Sequence, residues 1–182
     1  MTLAQRRSAP EPTARLPLAW GDHQGRLVVG VALLIGGAAL VAQTTVYTIG
    51  LGLLGSALHL AGWAVQPARG RIRALVAVPS MLACWATISG PKAMWLLALC
   101  LVAWLAVRER PVRSYLTVLL PLGVGLALAA AYSHVADKRP AFVLVLVGVA
   151  AGAWLARRLA LRPEPVHTEP IGAPETECGD TP

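Results

Sequence analysis

The sequence predicts an all-α fold, a polytopic membrane helix bundle with six transmembrane helices. The first observation is composition: 56% of the 182 residues are apolar and 14% are charged, whereas an average soluble domain has about 25% charged residues. The second is that the charges are clustered, with long uncharged stretches between the clusters. The third is an uneven division of arginine and lysine between alternate loops. Together these features exclude a water-soluble globule, a disordered chain and a disulfide scaffold.

The first two spans come from a single uncharged stretch. Residues 27–68 contain no formal charge, and as one helix they would be about 63 Å long. That is roughly twice the 30 Å thickness of the hydrocarbon core. The segment Gln43-Thr44-Thr45 interrupts the apolar run, so it predicts a turn between two spans.

The other four spans are separated by turn-forming or charged residues. Ser89-Gly90-Pro91-Lys92 divides the third span from the fourth, because glycine and proline both end helices. Asp137-Lys138-Arg139-Pro140 predicts a charged turn between the fifth and the sixth. We therefore expect a transmembrane domain over residues 26–158, with spans near 27–43, 46–65, 72–89, 93–107, 115–134 and 141–156.

The two ends of the chain have a different composition from this domain. Residues 1–25 are rich in alanine, proline and arginine, and we expect a disordered or interfacial segment there. Residues 159–182 are acidic and rich in proline, so we expect a disordered tail. Of the three cysteines, Cys84 and Cys100 fall within spans and Cys178 falls in the tail, and we expect no disulfide.

Arginine and lysine predict the orientation. Thirteen of the sixteen lie in the two terminal segments and in the second and fourth loops, and only Lys92, Lys138 and Arg139 lie on the other side. Cytoplasmic loops retain an excess of basic residues, so both termini are predicted to be cytoplasmic in the plasma (cell inner) membrane. An odd number of spans would destroy this division. The preference for arginine over lysine, together with abundant alanine, leucine and valine, is typical of a GC-rich bacterial genome.

A possible internal repeat joins the spans in pairs. Trp63, Trp104 and Trp154 lie near the ends of the even-numbered spans, and each is followed by arginines. Pro79 and Pro121 interrupt the third and fifth spans at similar depths. One interpretation is three repeated helix hairpins, since transporters often contain repeats with broken helices. The other is convergence, since tryptophan is enriched at membrane interfaces.

Small residues recur at four-residue spacing in two spans. Gly148, Gly152 and Ala156 form one stripe, and Gly123, Ala127 and Ala131 form another. Small residues let helices approach closely in lipid. The pattern predicts contacts either within the chain or with another membrane protein or a second copy of the chain.

His59 is the one ionisable group deep within a span, and an intramembrane ionisable residue is a functional candidate. The structural alternative is a neutral imidazole bonded to a neighbouring helix. Ser56 lies one turn before it, but neighbours on one helix do not form the usual nucleophile–base pair, and no Gly-x-Ser-x-Gly motif is present. No Asp, Glu, Lys or Arg lies in the middle of a span, which disfavours ion-coupled transport.

The remaining motifs indicate neither a cofactor nor a metal. Gly50-Leu-Gly52-Leu-Leu-Gly55 matches the dinucleotide fingerprint, but it lies in an apolar helix without the required strand. His134 lies at a different depth from His59, which excludes a haem bound by both, and a metal site is not expected. The net charge of +7 is assigned to the arginines that set topology rather than to nucleic-acid binding.

These features predict a non-catalytic protein that interacts with the lipid bilayer. They also predict contact with another membrane protein, or with a second copy of the chain, through the small-residue face of Gly148, Gly152 and Ala156. The expected role is an interaction, assembly or accessory subunit. The alternative, based on the two prolines, His59 and the possible repeat, is a small uncoupled transporter or channel for a small solute. The sequence contains no constellation that would make it an enzyme.

Overall fold

The structure is a computed structural model that describes residues 21–68, 70–132 and 138–160. Its α-helices are α1 (His23–Ala42), α2 (Ile49–Val65), α3 (Gly70–Ala86), α4 (Ala98–Val107), α5 (Leu119–Ala131) and α6 (Lys138–Ala160). Three 3₁₀ segments accompany them, at Thr87–Ser89, Pro91–Leu97 and Val112–Val118. The predictions made for residues 1–20 and 161–182, and those for His134 and Asp137, lie outside the described residues.

The predicted all-α bundle is confirmed for this part of the chain, where all regular structure is helical. Four stretches are long and apolar enough to cross a membrane: His23–Ala42, Arg71–Ser89, Val112–Ala131 and Lys138–Ala160. Two others, Ile49–Val65 and Pro91–Val107, are apolar but shorter. A helix of 17 residues is about 26 Å long, slightly less than the roughly 30 Å of hydrocarbon. The apolar helices indicate a membrane-associated protein.

Local interactions explain where α1 begins. Asp22 is its N-cap, and the backbone N–H of Gly25 donates to the Asp22 carboxylate at 2.8 Å. This bond lowers the pKa of Asp22, because it stabilises the charged form. The helix therefore starts at His23, about one turn before the first predicted span.

The prediction of a charged turn at 137–140 is wrong for residues 138–140. Lys138, Arg139 and Pro140 form the first turn of α6, where proline is tolerated because its missing N–H has no helical partner. Lys138 Nζ donates to the carbonyl of Thr44 at 3.4 Å, and Arg139 Nε donates to Oε1 of Gln43 at 3.1 Å. The start of α6 is thereby attached to the turn between α1 and α2.

Successive helices are antiparallel, which gives the bundle two chemically different ends. We call one the basic end, where the described residues place Arg26, Arg71, Arg73, Arg108, Arg157 and Arg158. The opposite end contains the turn after α1, the turn between α3 and α4, and the start of α6. Gly90 takes φ +98° in the second of these turns, a conformation that glycine adopts readily.

Apolar side chains from several helices fill both halves of the bundle. Toward the end opposite the arginines, Val41, Met94 and Val145 belong to one buried cluster. Toward the basic end, a second cluster includes Trp63 and Val107. A third joins α4 to the end of α6. Because these clusters involve helices distant in the sequence, the described helices form a packed bundle rather than separate hairpins.

Candidate functional site

Glycines bring α1 and α2 into backbone contact. A Cβ added to Gly37 would lie 2.5 Å from the carbonyl oxygen of Gly55, and one added to Gly62 would lie 2.9 Å from that of Gly30. There is no space for a side chain at these positions, so the two helices approach as closely as their backbones allow. This contact positions His59, one turn after Gly55, directly against α1.

The first partner of His59 is the backbone of α1. Its Nδ1 lies 3.1 Å from the carbonyl oxygen of Leu34. A carbonyl oxygen only accepts hydrogen bonds, so Nδ1 carries a proton and donates it. The partner belongs to a neighbouring helix, which gives the buried imidazole a hydrogen bond in an otherwise apolar environment.

Ser80 and Trp63 complete the network around the ring. The Ser80 hydroxyl lies 3.1 Å from Nε2 of His59, and Trp63 Nε1 donates to Ser80 Oγ at 2.7 Å. Trp63 Nε1 also points at Nε2 from 3.2 Å, which requires Nε2 to be an acceptor and the ring to be neutral. The hydroxyl has a second acceptor, the carbonyl of Ala77 at 3.0 Å. The network links α1, α2 and α3.

This arrangement differs from the pairing considered in the sequence. Ser56 does not contact His59; its hydroxyl donates to the carbonyl of Gly52 at 2.7 Å and accepts from Trp85 Nε1 at 2.9 Å. The serine beside His59 is Ser80, and it is fully buried. Ser80 is not among the residues that the sequence singles out. The available signal was a serine directly after Pro79 in an otherwise apolar span, but nothing in the sequence shows which helix faces His59.

Two thiols lie close to this network. Cys84 Sγ is 4.0 Å from Nδ1 of His59, and Cys100 Sγ donates to the carbonyl of Ser80 at 3.8 Å. Both cysteines are free thiols. Among the described residues, no group of three His, Cys, Asp or Glu side chains is placed to hold a metal ion. The thiols therefore add weak hydrogen bonds and apolar contacts to the His59 network.

An apolar cleft of about 560 Å³ lies on the other side of His59. We call it the α1–α6 cleft, because its lips are Ile35 on α1 and Val143 and Val147 on α6. These three residues are 49%, 58% and 60% exposed. Its inner surface includes His59, Trp63, Cys100 and Trp104. The cleft opens sideways, toward the space that lipid occupies around a membrane bundle.

The cleft forms because α1 and α6 are held together at one end only. Ala38 and Val41 pack in the same buried cluster as Phe142 and Val145, next to the attachment of α6 described above. Toward the basic end the partners change. Gly62 of α2 packs against Leu34 of α1, whereas Ala156 of α6 packs in the cluster with Leu101 and Leu105 of α4. Toward the basic end, the described residues include no buried cluster that α1 and α6 share.

Arginines at the basic end interact with α2 and with tryptophans. Arg26 Nε donates to the carbonyl of Val65 at 3.1 Å, and Arg73 donates to that of Ala64 at 2.7 Å. They satisfy carbonyls that have no helical partner at the end of α2 and complement its dipole. Arg108 lies 5.7 Å from the ring centre of Trp104, and Arg158 lies 4.8 Å from that of Trp154.

Gln66 is an exception among these satisfied polar groups. It is fully buried just after α2, and its two side-chain amide atoms have no hydrogen-bond partner among the described residues. Its Nε2 lies 2.9 Å from the position that a Cβ on Gly30 would take. An unsatisfied buried amide destabilises a fold.

The two predicted small-residue stripes face opposite ways. Gly148, Gly152 and Ala156 are buried, and a Cβ on Gly152 would lie 2.8 Å from Leu101. This stripe packs within the chain. Gly123, Ala127 and Ala131 of α5 are exposed, and no atom lies within 4 Å of a Cβ built on Gly123. Of the two stripes, the one on α5 is available to another molecule.

Other sequence features take structural positions. Gly52 and Gly55, from the dinucleotide-like motif, lie at close contacts between helices, and Gly50 faces open space. Trp63, Trp104 and Trp154 occupy unlike environments, since the first is buried and the last is exposed.

The chain matches no family model, no curated protein and no solved structure. Function therefore has to be argued from the geometry alone.

Proposed function

We propose that this chain is a non-catalytic interaction or accessory subunit of the bacterial plasma membrane. It crosses the bilayer six times with both termini on the cytoplasmic side, and it binds another membrane protein through α5. The observation that carries the proposal is the exposed stripe of Gly123, Ala127 and Ala131, with open space at Gly123. Stripes of this kind allow close helix–helix contact in lipid.

The burial of the second stripe supports this assignment. Gly148, Gly152 and Ala156 have the same spacing as the α5 stripe, and they already serve as a helix-packing surface within the chain. By analogy, the α5 stripe is a helix-packing surface that no other helix of the described residues covers. Leu126, which is exposed and lies between members of the α5 stripe, adds apolar contact area beside it.

Six spans are proposed although two helical stretches are short. One of them, Pro91–Val107, is bounded by basic residues: Lys92 is at its start and Arg108 directly follows it. Long basic side chains extend their charges to the interface and make a short span viable. Six spans also keep the arginines on one side, as the positive-inside rule requires.

The test is co-purification in a mild detergent from the native membrane. We expect another membrane protein to elute in fixed stoichiometry with the wild-type chain. Gly123→Leu and Ala127→Leu should reduce its yield at least tenfold, because they fill the stripe. Ala57→Leu is the matched control, since Ala57 is exposed in the middle of α2 and away from α5. A wild-type chain that elutes alone, or equal loss with all three variants, would contradict the proposal.

The alternative function is a small uncoupled transporter or channel. It is favoured by the 3₁₀ segments Pro91–Leu97 and Val112–Val118, which form the first seven residues of two of the apolar helical stretches, because 3₁₀ runs longer than about four residues are uncommon. Pro79 lies beside the His59 network and adds a third irregularity. Solute flux into liposomes that contain only this protein, abolished by His59→Ala, would support this alternative over the first.

A further inference from the structure

The α1–α6 cleft has the chemistry of a site for a hydrocarbon chain. The residues that line it are apolar except for His59, Trp63, Cys100 and Trp104, and the hydrogen bonds of His59 are already taken within the chain. Its volume of about 560 Å³ lies within the roughly 300–1,000 Å³ typical of ligand pockets. An apolar occupant would gain contact area without leaving a polar group unsatisfied.

The length of the cleft fits a hydrocarbon chain that lies along the helices. Along α6 the cleft extends from Val143 to Ala153, which corresponds to about 15 Å of helix rise. Residues of α1, including Val31 and Ile35, line the opposite side.

The basic end of the cleft carries positive charge. Ala153 lines the cleft, and Arg157 follows one turn later on the same face of α6 and is exposed. Trp104 also lines the cleft, with Arg108 placed over its ring. A molecule whose hydrocarbon chain lies in the cleft therefore has its other end beside arginine. This arrangement fits an amphiphile with an anionic head.

We propose that the α1–α6 cleft binds one acyl chain of an anionic phospholipid, with the lipid phosphate held at Arg157. Basic sites between membrane helices on the cytoplasmic side bind anionic head groups, and the exposed lips of the cleft, Ile35, Val143 and Val147, give a lipid a lateral entrance. The inference is independent of the proposed role of α5, which lies outside this cleft.

The experiment is native mass spectrometry of the full-length chain with added phosphatidylglycerol or with phosphatidylcholine of the same acyl chains. We expect retention of phosphatidylglycerol over phosphatidylcholine. Arg157→Gln should reduce phosphatidylglycerol binding about fivefold, the usual effect of one basic residue near an anionic surface. Arg71→Gln is the matched control, because Arg71 is an exposed arginine at the same end of the bundle, on α3, and it should leave binding unchanged.

A second pair of variants tests the hydrocarbon part of the site. Ala150 lines the cleft and is exposed, so Ala150→Phe should fill it and reduce the binding of both lipids. Ala57→Phe is the control, since Ala57 is an exposed alanine on another helix. If Ala150→Phe does not fold by circular dichroism, Val147→Phe at the lip replaces it.

Three results would overturn the proposal. The first is equal retention of the two lipids by the wild-type chain. The second is undiminished lipid binding in the folded cleft-filling variant. The third is a lipid-free dimer that Ala150→Phe dissociates, because it would assign the cleft to a second copy.

Discussion

Helix α1 contacts α2 and α6 in opposite ways. Against α2 it presents Gly30 and Gly37, which face Gly62 and Gly55, and the two backbones meet along the length of the pair. Against α6 it presents branched side chains, of which Ile35 remains exposed, and the helices separate into a cleft. One helix thus has a closed face and an open face within the same bundle.

The difference shows that small residues, rather than apolarity, decide which helix pairs close in a membrane. Both faces of α1 are apolar, and lipid tails solvate valine and isoleucine as well as a neighbouring helix does. Only the glycine face lets the partner backbone come near enough for His59 to bond the carbonyl of Leu34. The following predictions test this comparison, from the largest effect to the smallest.

The largest effect is expected from a methyl group in the closed contact. In Gly37→Ala the new Cβ would lie 2.5 Å from the carbonyl oxygen of Gly55 and 2.6 Å from the backbone nitrogen of His59. Neither backbone atom can move without separating the helices, so we expect a loss of about 3 kcal/mol in the free energy of unfolding. Unfolding by SDS in mixed micelles, followed by circular dichroism, measures it.

The adjacent glycine supplies the control. No atom lies within 4 Å of a Cβ built on Gly36, so Gly36→Ala should leave stability unchanged or raise it slightly. Equal losses at Gly36 and Gly37 would mean that the close contact with α2 is not what makes Gly37 sensitive to substitution.

The next effect is expected from the hydrogen bonds that the closed contact makes possible. His59→Ala removes the donor to Leu34 and the acceptor for Ser80, and we expect a loss of about 1–3 kcal/mol. His59→Asn retains an amide donor toward Leu34 and should recover part of it. The same unfolding assay applies. If Ser80→Ala alone costs as much as His59→Ala, the bond to α1 contributes nothing, and the link between α1 and α2 is purely steric.

A rise in the free energy of unfolding, rather than a loss, is expected from a substitution at Gln66, which lies at the basic end of the α1–α2 pair. Its buried amide has no partner among the described residues. Gln66→Met has a similar shape without the amide, so it should raise the free energy of unfolding by about 1 kcal/mol. Gln66→Glu adds a charge in the same place and should lower it. A destabilising Gln66→Met would reveal that a water or a bound group satisfies the amide.

Much of this architecture follows from the sequence, because a membrane limits helix length and charge position. The uncharged gaps and turn residues predict all six helical segments. The differences lie in their ends and in the 3₁₀ segments that begin the fourth and the fifth. The errors at α1 and α6 have local causes. Asp22 extends α1 by capping it earlier, and Pro140 is compatible with a first helical turn.

The site is less predictable because it depends on how each helix is rotated about its axis. The stripes on α5 and α6 have the same spacing, yet the first is exposed and the second is buried. Similarly, His59 bonds Ser80, 21 residues away, rather than Ser56 on its own helix. Spacing within one helix identifies a face, but the partner of that face is set by the packing of all the helices.

The buried stripe of α6 provides a graded version of the glycine test. A Cβ on Gly152 would lie 2.8 Å from Leu101 Cδ2, the end of a flexible side chain, whereas one on Gly148 would make an ordinary contact at 3.5 Å with Pro121. The Cβ on Gly152 would also lie 3.2 Å from the carbonyl oxygen of Thr117. We expect Gly152→Ala to cost about 1 kcal/mol, less than Gly37→Ala, since the shortest contact is with a side chain that can move. Gly148→Ala should be neutral. Losses equal to that of Gly37→Ala would show that α6 also packs through backbone contact.

The smallest effect is expected at the N-cap of α1, outside the membrane-spanning part. Asp22→Ala removes the acceptor for the Gly25 N–H and should loosen the first turn, which carries Arg26 and its bond to Val65. Asp22→Asn retains an acceptor without the charge. Because the hydrogen bond from the Gly25 N–H lowers the folded-state pKa of Asp22 below its unfolded-state value, the contribution of the charge is present above the unfolded-state pKa and is lost as the pH falls through the folded-state pKa. The difference between wild type and Asp22→Asn in the unfolding assay should therefore disappear in acid.

A loss of stability from Asp22→Ala as large as that from Gly37→Ala would contradict the role given to the glycine contact. Helix α1 would then be held on α2 by its aqueous end rather than by the glycines within the bilayer.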